Sequence, residues 1–131
     1  GASFTVLRAA DAAMCKSGTT TLEAAVAGCP LVVAYRTSRV TYALARRLVS
    51  IPHIGLVNVV AGRELAPEFV QSALRPAAVA DALEPLLRRG DPGRDRMLAG
   101  LAEVRGALGT AGAAGRVADM AAALAATPGR R

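Results

Sequence analysis

A chain of 131 residues that is 53% hydrophobic and 3% aromatic is long enough for one domain with a buried core, and it is too apolar to be disordered. Two cysteines exclude a disulfide framework, and we expect neither a signal peptide nor a membrane span, because no apolar run is long enough. The net charge of +6 favours an anionic membrane surface or a phosphorylated small molecule, while the lack of interleaved aromatic residues and zinc-finger spacing argues against nucleic acid.

The first part of the chain predicts a strand–helix–strand unit. Residues 6–11 favour the end of a helix, and residues 12–16 favour a short buried strand. Residues 21–27 predict a helix that ends at Gly28, since glycine adopts positive φ freely. The unbroken apolar run Leu31–Tyr35 is typical of a parallel strand that is buried on both faces. A parallel sheet with right-handed crossovers follows from these elements.

The middle of the chain predicts shorter elements. A helix is expected over Ser38–Val49, where apolar residues recur at every fourth position. The apolar segment Ile54–Val60 is interrupted by Asn58, and residues 61–64 predict a turn. Residues 68–71 favour a short helix.

The last third of the sequence predicts three helices. Pro76 suits the first turn of a helix, because its missing N–H would have no partner there. The apolar residues expected to face the core are Val79, Leu83, Leu86 and Leu87, then Met97, Leu98, Leu101, Val104 and Leu108, and finally Val117, Met120 and Leu124. Residues 109–115 predict a hinge between helices, and residues 127–131 predict a frayed basic tail.

The segment Lys16–Ala25 has the chemistry of an anion site. Its glycine turn joins a predicted strand to a predicted helix, whose first-turn amides have no internal partners and lie at the positive end of the helix dipole. Gly18 allows a diphosphate to approach the backbone, and Ser17 and Thr19 add hydroxyl donors. The alternative role for these two hydroxyls is ordinary N-capping.

Glu23 lies one turn further along and has two interpretations of equal weight. Its carboxylate can accept two hydrogen bonds from the diol of a ribose. Alternatively, Thr20 and Glu23 form a capping box, because the spacing Thr-x-x-Glu fits that pattern as well.

A second polar segment begins at Asn58. An amide in an apolar run costs free energy unless it finds hydrogen-bond partners. Further along, Gly62, Arg63 and Glu64 place two opposite charges at a turn. The alternative interpretation of these charges is a solvated ion pair that contributes little stability.

Taken together, the segments resemble the C-terminal domain of lipid-A-disaccharide synthase. The resemblance rests on Ser-Gly-Thr-x-Thr-Leu-Glu-Ala from Ser17, on Tyr35-Arg36, and on Asn-x-x-Ala-Gly-Arg-Glu-x-x-Pro-Glu from Asn58. It extends over residues 6–87. The first element occurs in related glycosyltransferases too, so the other two carry the assignment to this family.

The resemblance implies an α/β fold, a Rossmann-like parallel sheet with flanking helices that forms the C-terminal domain of a GT-B fold. Residues 1–90 would form this UDP-sugar-binding domain, and residues 91–131 a tail of helices with a basic end. The residues that it implies for UDP-sugar binding are Ser17, Gly18, Thr19, Glu23, Asn58, Gly62, Arg63 and Glu64. The catalytic residues are unknown: the general base is expected in an acceptor-binding half that precedes these residues, so we expect the chain alone to be inactive.

The implied enzyme is a hexosyltransferase that needs no metal or cofactor. It would transfer 2,3-diacylglucosamine from UDP-2,3-diacylglucosamine to 2,3-diacylglucosamine 1-phosphate, releasing UDP and forming the lipid A disaccharide precursor. The alternatives are another UDP-sugar enzyme of the GT-B type, such as a peptidoglycan glucosaminyltransferase, and a non-catalytic nucleotide-binding module.

The acylated substrates imply a peripheral enzyme at the cytosolic face of the inner membrane. Arg39, Arg46 and Arg47 on the helix predicted over Ser38–Val49 would meet the anionic surface, although a solvated helix face is the alternative. A homodimer is compatible with this interpretation, and no nucleic-acid partner is expected.

Overall fold

The computed structural model describes residues 2–38, 53–109 and 112–126. Beyond Ser38, the predicted Ser38–Val49 helix lies outside these ranges, as does the predicted basic tail. The described elements are, in chain order, α1 (Ala2–Ala9), β1 (Ala13–Lys16), α2 (Thr19–Ala27), β2 (Leu31–Tyr35), α3 (Leu56–Ala61), β3 (Glu68–Val70), a 3-10 turn (Gln71–Ala73), α4 (Pro76–Leu87), α5 (Pro92–Ala107) and α6 (Ala113–Ala126).

The described strands form one parallel sheet in the order β1–β2–β3. Lys16 is aligned with Ala34, and Val33 is aligned with Glu68. The apolar residues 31–33 of the central strand are fully buried, as expected for a parallel strand covered on both faces. The predicted α/β architecture, a Rossmann-like parallel sheet with flanking helices and a helical tail, is confirmed.

Helices cover both faces of this sheet. One face carries α2, which contacts β1 and β2 and packs against α1, α3 and α5. Ala24 and Ala25 are fully buried in that layer, where their small side chains allow the helices to approach closely. The other face carries α4, which contacts β2. Between α4 and the sheet lies an open apolar groove of about 570 Å³, lined among others by Met14 and Val79.

The boundaries of α2 follow from two glycines. The helix begins directly after Gly18 and ends at Gly28, whose left-handed conformation (φ 71°, ψ 31°) is the one predicted. The Gly28 N–H bonds to the carbonyl groups of Ala24 and Ala25, so the end of the helix keeps its acceptors occupied.

The short helix predicted over residues 68–71 is wrong. Glu68–Val70 forms β3, and Gln71 opens a 3-10 turn. The Val33 N–H of β2 donates to the Pro67 carbonyl at 2.8 Å and thereby starts the pairing of the two strands. This long-range pairing overrides the weak local preference of a four-residue segment.

The three C-terminal helices are confirmed, and Pro76 lies in the first turn of α4 as predicted. The predicted buried faces are only partly correct, because Leu87 and Leu108 are exposed, and so are Val117 and Met120 of α6. Helical spacing shows that residues share a face but not that a partner covers it. The predicted hinge is also shorter, since α6 already begins at Ala113.

Both cysteines, Cys15 and Cys29, are buried and unpaired, which confirms their interpretation as small core residues. Among the described helices, none combines the length and the apolar character that crossing a membrane requires.

Candidate functional site

The candidate site lies at the carboxyl edge of the sheet, where ligands bind in open α/β folds. The three strands end at Lys16, Tyr35 and Val70. Because the strands are parallel, the segments that follow them emerge at the same edge. The predicted anion turn therefore lies where the fold favours a ligand.

The turn after β1 has no side-chain cap and borders free space. Gly18 is the N-cap residue of α2, with φ 135° and ψ −162°, and no side chain caps the helix there. An added Cβ at Gly18 would meet no heavy atom within 4 Å, so the backbone faces free space. The alternative in which Ser17 or Thr19 caps the helix is wrong, because the cap position belongs to a glycine.

The first-turn amides of α2 are arranged as an anion site requires. The first backbone hydrogen bond of the turn joins the Thr21 N–H to the Gly18 carbonyl at 3.2 Å, so the amides of Thr19 and Thr20 precede it. Ser17 is half-buried and Thr19 is exposed. The structure thus brings the Ser17, Gly18 and Thr19 of the prediction together at one helix N-terminus.

Glu23 lies on α2 beside α1. One oxygen of its carboxylate accepts a hydrogen bond from the Ser3 hydroxyl at 3.0 Å. The capping box with Thr20 is wrong, since Gly18 is the N-cap and Thr20 lies inside the helix. The interpretation of Glu23 as a ligand for a ribose diol remains a prediction.

Cys15 lies next to the turn but lacks the properties of a nucleophile. Its side chain is buried, and burial raises the pKa of the Cys15 thiol to about 11, with the charges of Cys29 and Glu23 acting in the same direction. A thiol with this pKa is protonated at neutral pH, and only the thiolate is strongly nucleophilic.

Asn58 is fully buried and hydrogen-bonded within the chain. Its amide nitrogen donates to the Ala66 carbonyl at 2.7 Å and to Glu68 Oε1 at 2.8 Å. Its oxygen accepts from the Leu65 N–H at 2.9 Å and the Ala66 N–H at 2.8 Å. These bonds use both donors and both lone pairs of the amide. The structure therefore shows Asn58 holding the loop before β3, and its assignment to UDP-sugar binding stays a prediction.

Glu68 is a residue that the sequence reasoning missed. Its carboxylate accepts from the Ile54 N–H at 3.0 Å and the Gly55 N–H at 2.9 Å, besides the Asn58 amide. It therefore fixes the start of α3 against β3. A signal was present in the sequence, because the family run that begins at Asn58 ends on this glutamate.

Gly62, Arg63 and Glu64 follow the far end of α3. Gly62 ends that helix in a left-handed conformation, φ 66°. Arg63 forms an ion pair with Glu103 of α5 at 2.7 Å, and both side chains are more than half exposed. Glu64 is exposed as well. Arg63 is therefore part of a solvated ion pair with a partner on another helix, and the assignment of these three residues to UDP-sugar binding stays a prediction.

A second missed residue is Gln71, directly after β3. Its backbone is in the left-handed region with φ 52°, which is uncommon for a residue with a side chain. The side-chain amide donates to the Thr37 carbonyl at 3.0 Å and accepts from the Thr37 N–H at 3.3 Å. Gln71 thereby fixes the chain after β2 at the carboxyl edge of the sheet.

Comparisons with known proteins agree with the family resemblance of the sequence. A family model described as lipid-A-disaccharide synthetase matches residues 1–103. The chain is 45% identical over 122 residues to the lipid-A-disaccharide synthase of Syntrophus aciditrophicus, which covers 92% of this chain and 31% of that protein. It is 48% identical over 115 residues to the synthase of Anaeromyxobacter sp. strain K, covering 87% and 30%. With the synthase of Sodalis glossinidius it shares 55% identity over 83 residues, covering 63% and 22%.

The chain spans about 30% of the length of the first two of these curated relatives. The family match includes the glycine turn, the central strand and the polar segment that ends at Glu68. The chain belongs to the lipid-A-disaccharide synthetase family.

Proposed function

We propose that the chain is the UDP-sugar-binding part of a lipid-A-disaccharide synthase, a GT-B glycosyltransferase. The complete protein transfers 2,3-diacylglucosamine from UDP to 2,3-diacylglucosamine 1-phosphate and releases UDP. Family membership supports this assignment. The structural observation that carries it is the uncapped glycine turn at the carboxyl edge of the sheet, with free space beside Gly18.

In this proposal the chain stabilises the leaving group. Negative charge develops on the β-phosphate as UDP departs. The N–H groups of Thr19 and Thr20, in the first turn of α2, point out of the N-terminal end of that helix. Donors that are fixed before the reaction stabilise such charge without reorganisation, which is the electrostatic form of catalysis. The Ser17 hydroxyl adds a further donor, and Glu23 binds the ribose. The general base belongs to a part of the protein outside these residues.

Titration calorimetry of the complete protein with UDP tests the binding assignment. We expect saturable binding, and we expect ADP to bind more weakly. Lack of saturable UDP binding would overturn the proposal. Turnover then separates the substrates: UDP-2,3-diacylglucosamine should serve as donor with 2,3-diacylglucosamine 1-phosphate, whereas efficient use of unacylated UDP-N-acetylglucosamine would favour a peptidoglycan-type transferase.

The same proposal includes peripheral binding at the cytosolic face of the inner membrane, since both substrates carry acyl chains. Arg39, Arg46 and Arg47 are the sequence-based candidates for this contact, and each basic residue near an anionic surface contributes about 1 kcal/mol. The complete protein should bind anionic vesicles and dissociate as salt rises, because screening acts over about 8–10 Å at physiological ionic strength. Unchanged vesicle binding after all three are replaced by Gln would reject these residues as the contact.

A further inference from the structure

The side chain of Thr21 joins the glycine turn to the first turn of α3. Thr21 is fully buried. Its hydroxyl donates to the Gly18 carbonyl at 2.8 Å and accepts from the Val57 N–H at 3.2 Å. One hydroxyl therefore connects the turn that begins α2 to the first turn of α3.

The Val57 side of this connection is itself fixed. The Glu68 carboxylate accepts from Ile54 and Gly55, the two residues before α3, and also from the Asn58 amide. Asn58 in turn holds the backbone of the loop before β3. The Val57 N–H is thus held in place by several side-chain hydrogen bonds, and its bond to Thr21 links that fixed backbone to Gly18.

The planarity of the peptide bond links this contact to the candidate site. The Gly18 carbonyl and the Thr19 N–H belong to the same rigid peptide unit, and in a trans peptide they point in opposite directions. Holding the carbonyl inward on Thr21 therefore keeps the Thr19 N–H outward. Gly18 needs such a constraint, because glycine rotates more freely than any other residue and its φ of 135° is open to few others.

We propose that Thr21 is a positioning residue for the nucleotide, which sets the orientation of the Gly18–Thr19 peptide without touching the ligand. This inference rests on the proposed function, since it takes the amides at the start of α2 to be the phosphate donors. Its distinguishing property is that the hydroxyl matters and the methyl group does not. Serine keeps both hydrogen bonds, whereas valine keeps the shape and loses both.

The test measures the UDP affinity of the complete protein by calorimetry for the wild type, Thr21→Val and Thr21→Ser. We expect Thr21→Val to weaken UDP binding about tenfold, the size of effect that corresponds to one lost hydrogen bond, and Thr21→Ser to restore the affinity to within about threefold of the wild type. The matched control is Val79→Ala, a buried change in α4 on the other face of the sheet. It should lower the melting temperature and leave UDP affinity unchanged.

The possible outcomes distinguish a failure of the proposed function from a failure of the positioning role. If the wild type fails to bind UDP, the proposed function and this inference both fall. If the wild type binds and Thr21→Val binds equally well below its melting temperature, the positioning role is overturned while the function stands. If Thr21→Val does not fold, Thr21→Cys replaces it, because a thiol is a poor hydrogen-bond partner of similar size. Equal UDP affinity of the Cys and Ser variants would overturn the role.

Discussion

The turn at residues 17–19 and the segment that starts at Asn58 both carry the family resemblance. They differ in whether their polar groups find hydrogen-bond partners within the chain. At the turn, no side chain caps the start of α2, and the N-cap residue Gly18 lies beside free space. The first hydrogen bond of α2 is accepted by the Gly18 carbonyl. In the second segment, Asn58 has every donor and acceptor occupied, and Glu68 accepts from three N–H groups. The residues that carry the family resemblance thus include groups without a side-chain partner at the turn and groups that hold the loops in place.

The largest expected effect is at the turn, where the space beside Gly18 is free. Gly18→Val should weaken UDP binding by more than about a thousandfold, because a branched side chain fills the approach to the amides and strains a backbone with positive φ. Gly28→Val, at the other end of α2, is the matched control: it strains a left-handed glycine in the same way and should lower stability while UDP still binds. Calorimetric retention of binding by Gly18→Val would place the phosphates elsewhere.

The next largest effect tests the hydrogen-bonded segment at Asn58. Asn58→Ala should reduce the free energy of unfolding by about 3 kcal/mol, because it leaves the Leu65 and Ala66 N–H groups without their buried acceptor. Thermal unfolding measures this loss. Asn58→Asp should be at least as destabilising, because its second carboxylate oxygen would replace the donor that lies 2.7 Å from the Ala66 carbonyl and 2.8 Å from Glu68 Oε1. A variant that keeps its stability but no longer binds UDP would instead show that Asn58 contacts the ligand.

Glu23→Ala is expected to have a smaller effect, and on affinity alone. Loss of a ribose contact should weaken UDP binding about tenfold, or about 1.4 kcal/mol. The stability should change by less than about 0.5 kcal/mol, since the contact with Ser3 is at the surface and no cap is lost. The control ligand is pyrophosphate, which lacks the uridine, and its affinity should not change. A destabilised variant with normal UDP affinity would reject the ribose role.

The smallest effect is expected at Arg63. Its ion pair with Glu103 is more than half exposed, and such pairs contribute about 0–1 kcal/mol. Arg63→Ala should therefore match Glu103→Ala in thermal stability, and both should bind UDP like the wild type. A clear loss of UDP affinity for Arg63→Ala alone would show that Arg63 leaves Glu103 when the nucleotide binds. The end of α3 would then contribute to the nucleotide site.

The sequence by itself determined the elements whose rules are local. The apolar run Leu31–Tyr35 predicts a buried parallel strand, and Gly28 predicts the end of α2, because both depend on properties of the residues themselves. The turn at Gly18 belongs to the same class, since the start of a helix exposes its amides wherever the helix packs. The sequence also determined the family, through residue types in a fixed order.

Only the tertiary structure decided the roles that depend on partners far along the chain. β3 exists because β2 offers a free edge, and Glu68–Val70 has too few residues for a local pattern to reveal it. The partners of Thr21 and Arg63 lie 36 and 40 residues away, on elements that only the fold brings close. A hydrogen bond depends on the positions of two groups, whereas a sequence pattern reports one residue at a time. The sequence could therefore name the polar residues but not show which of them hold the loops together.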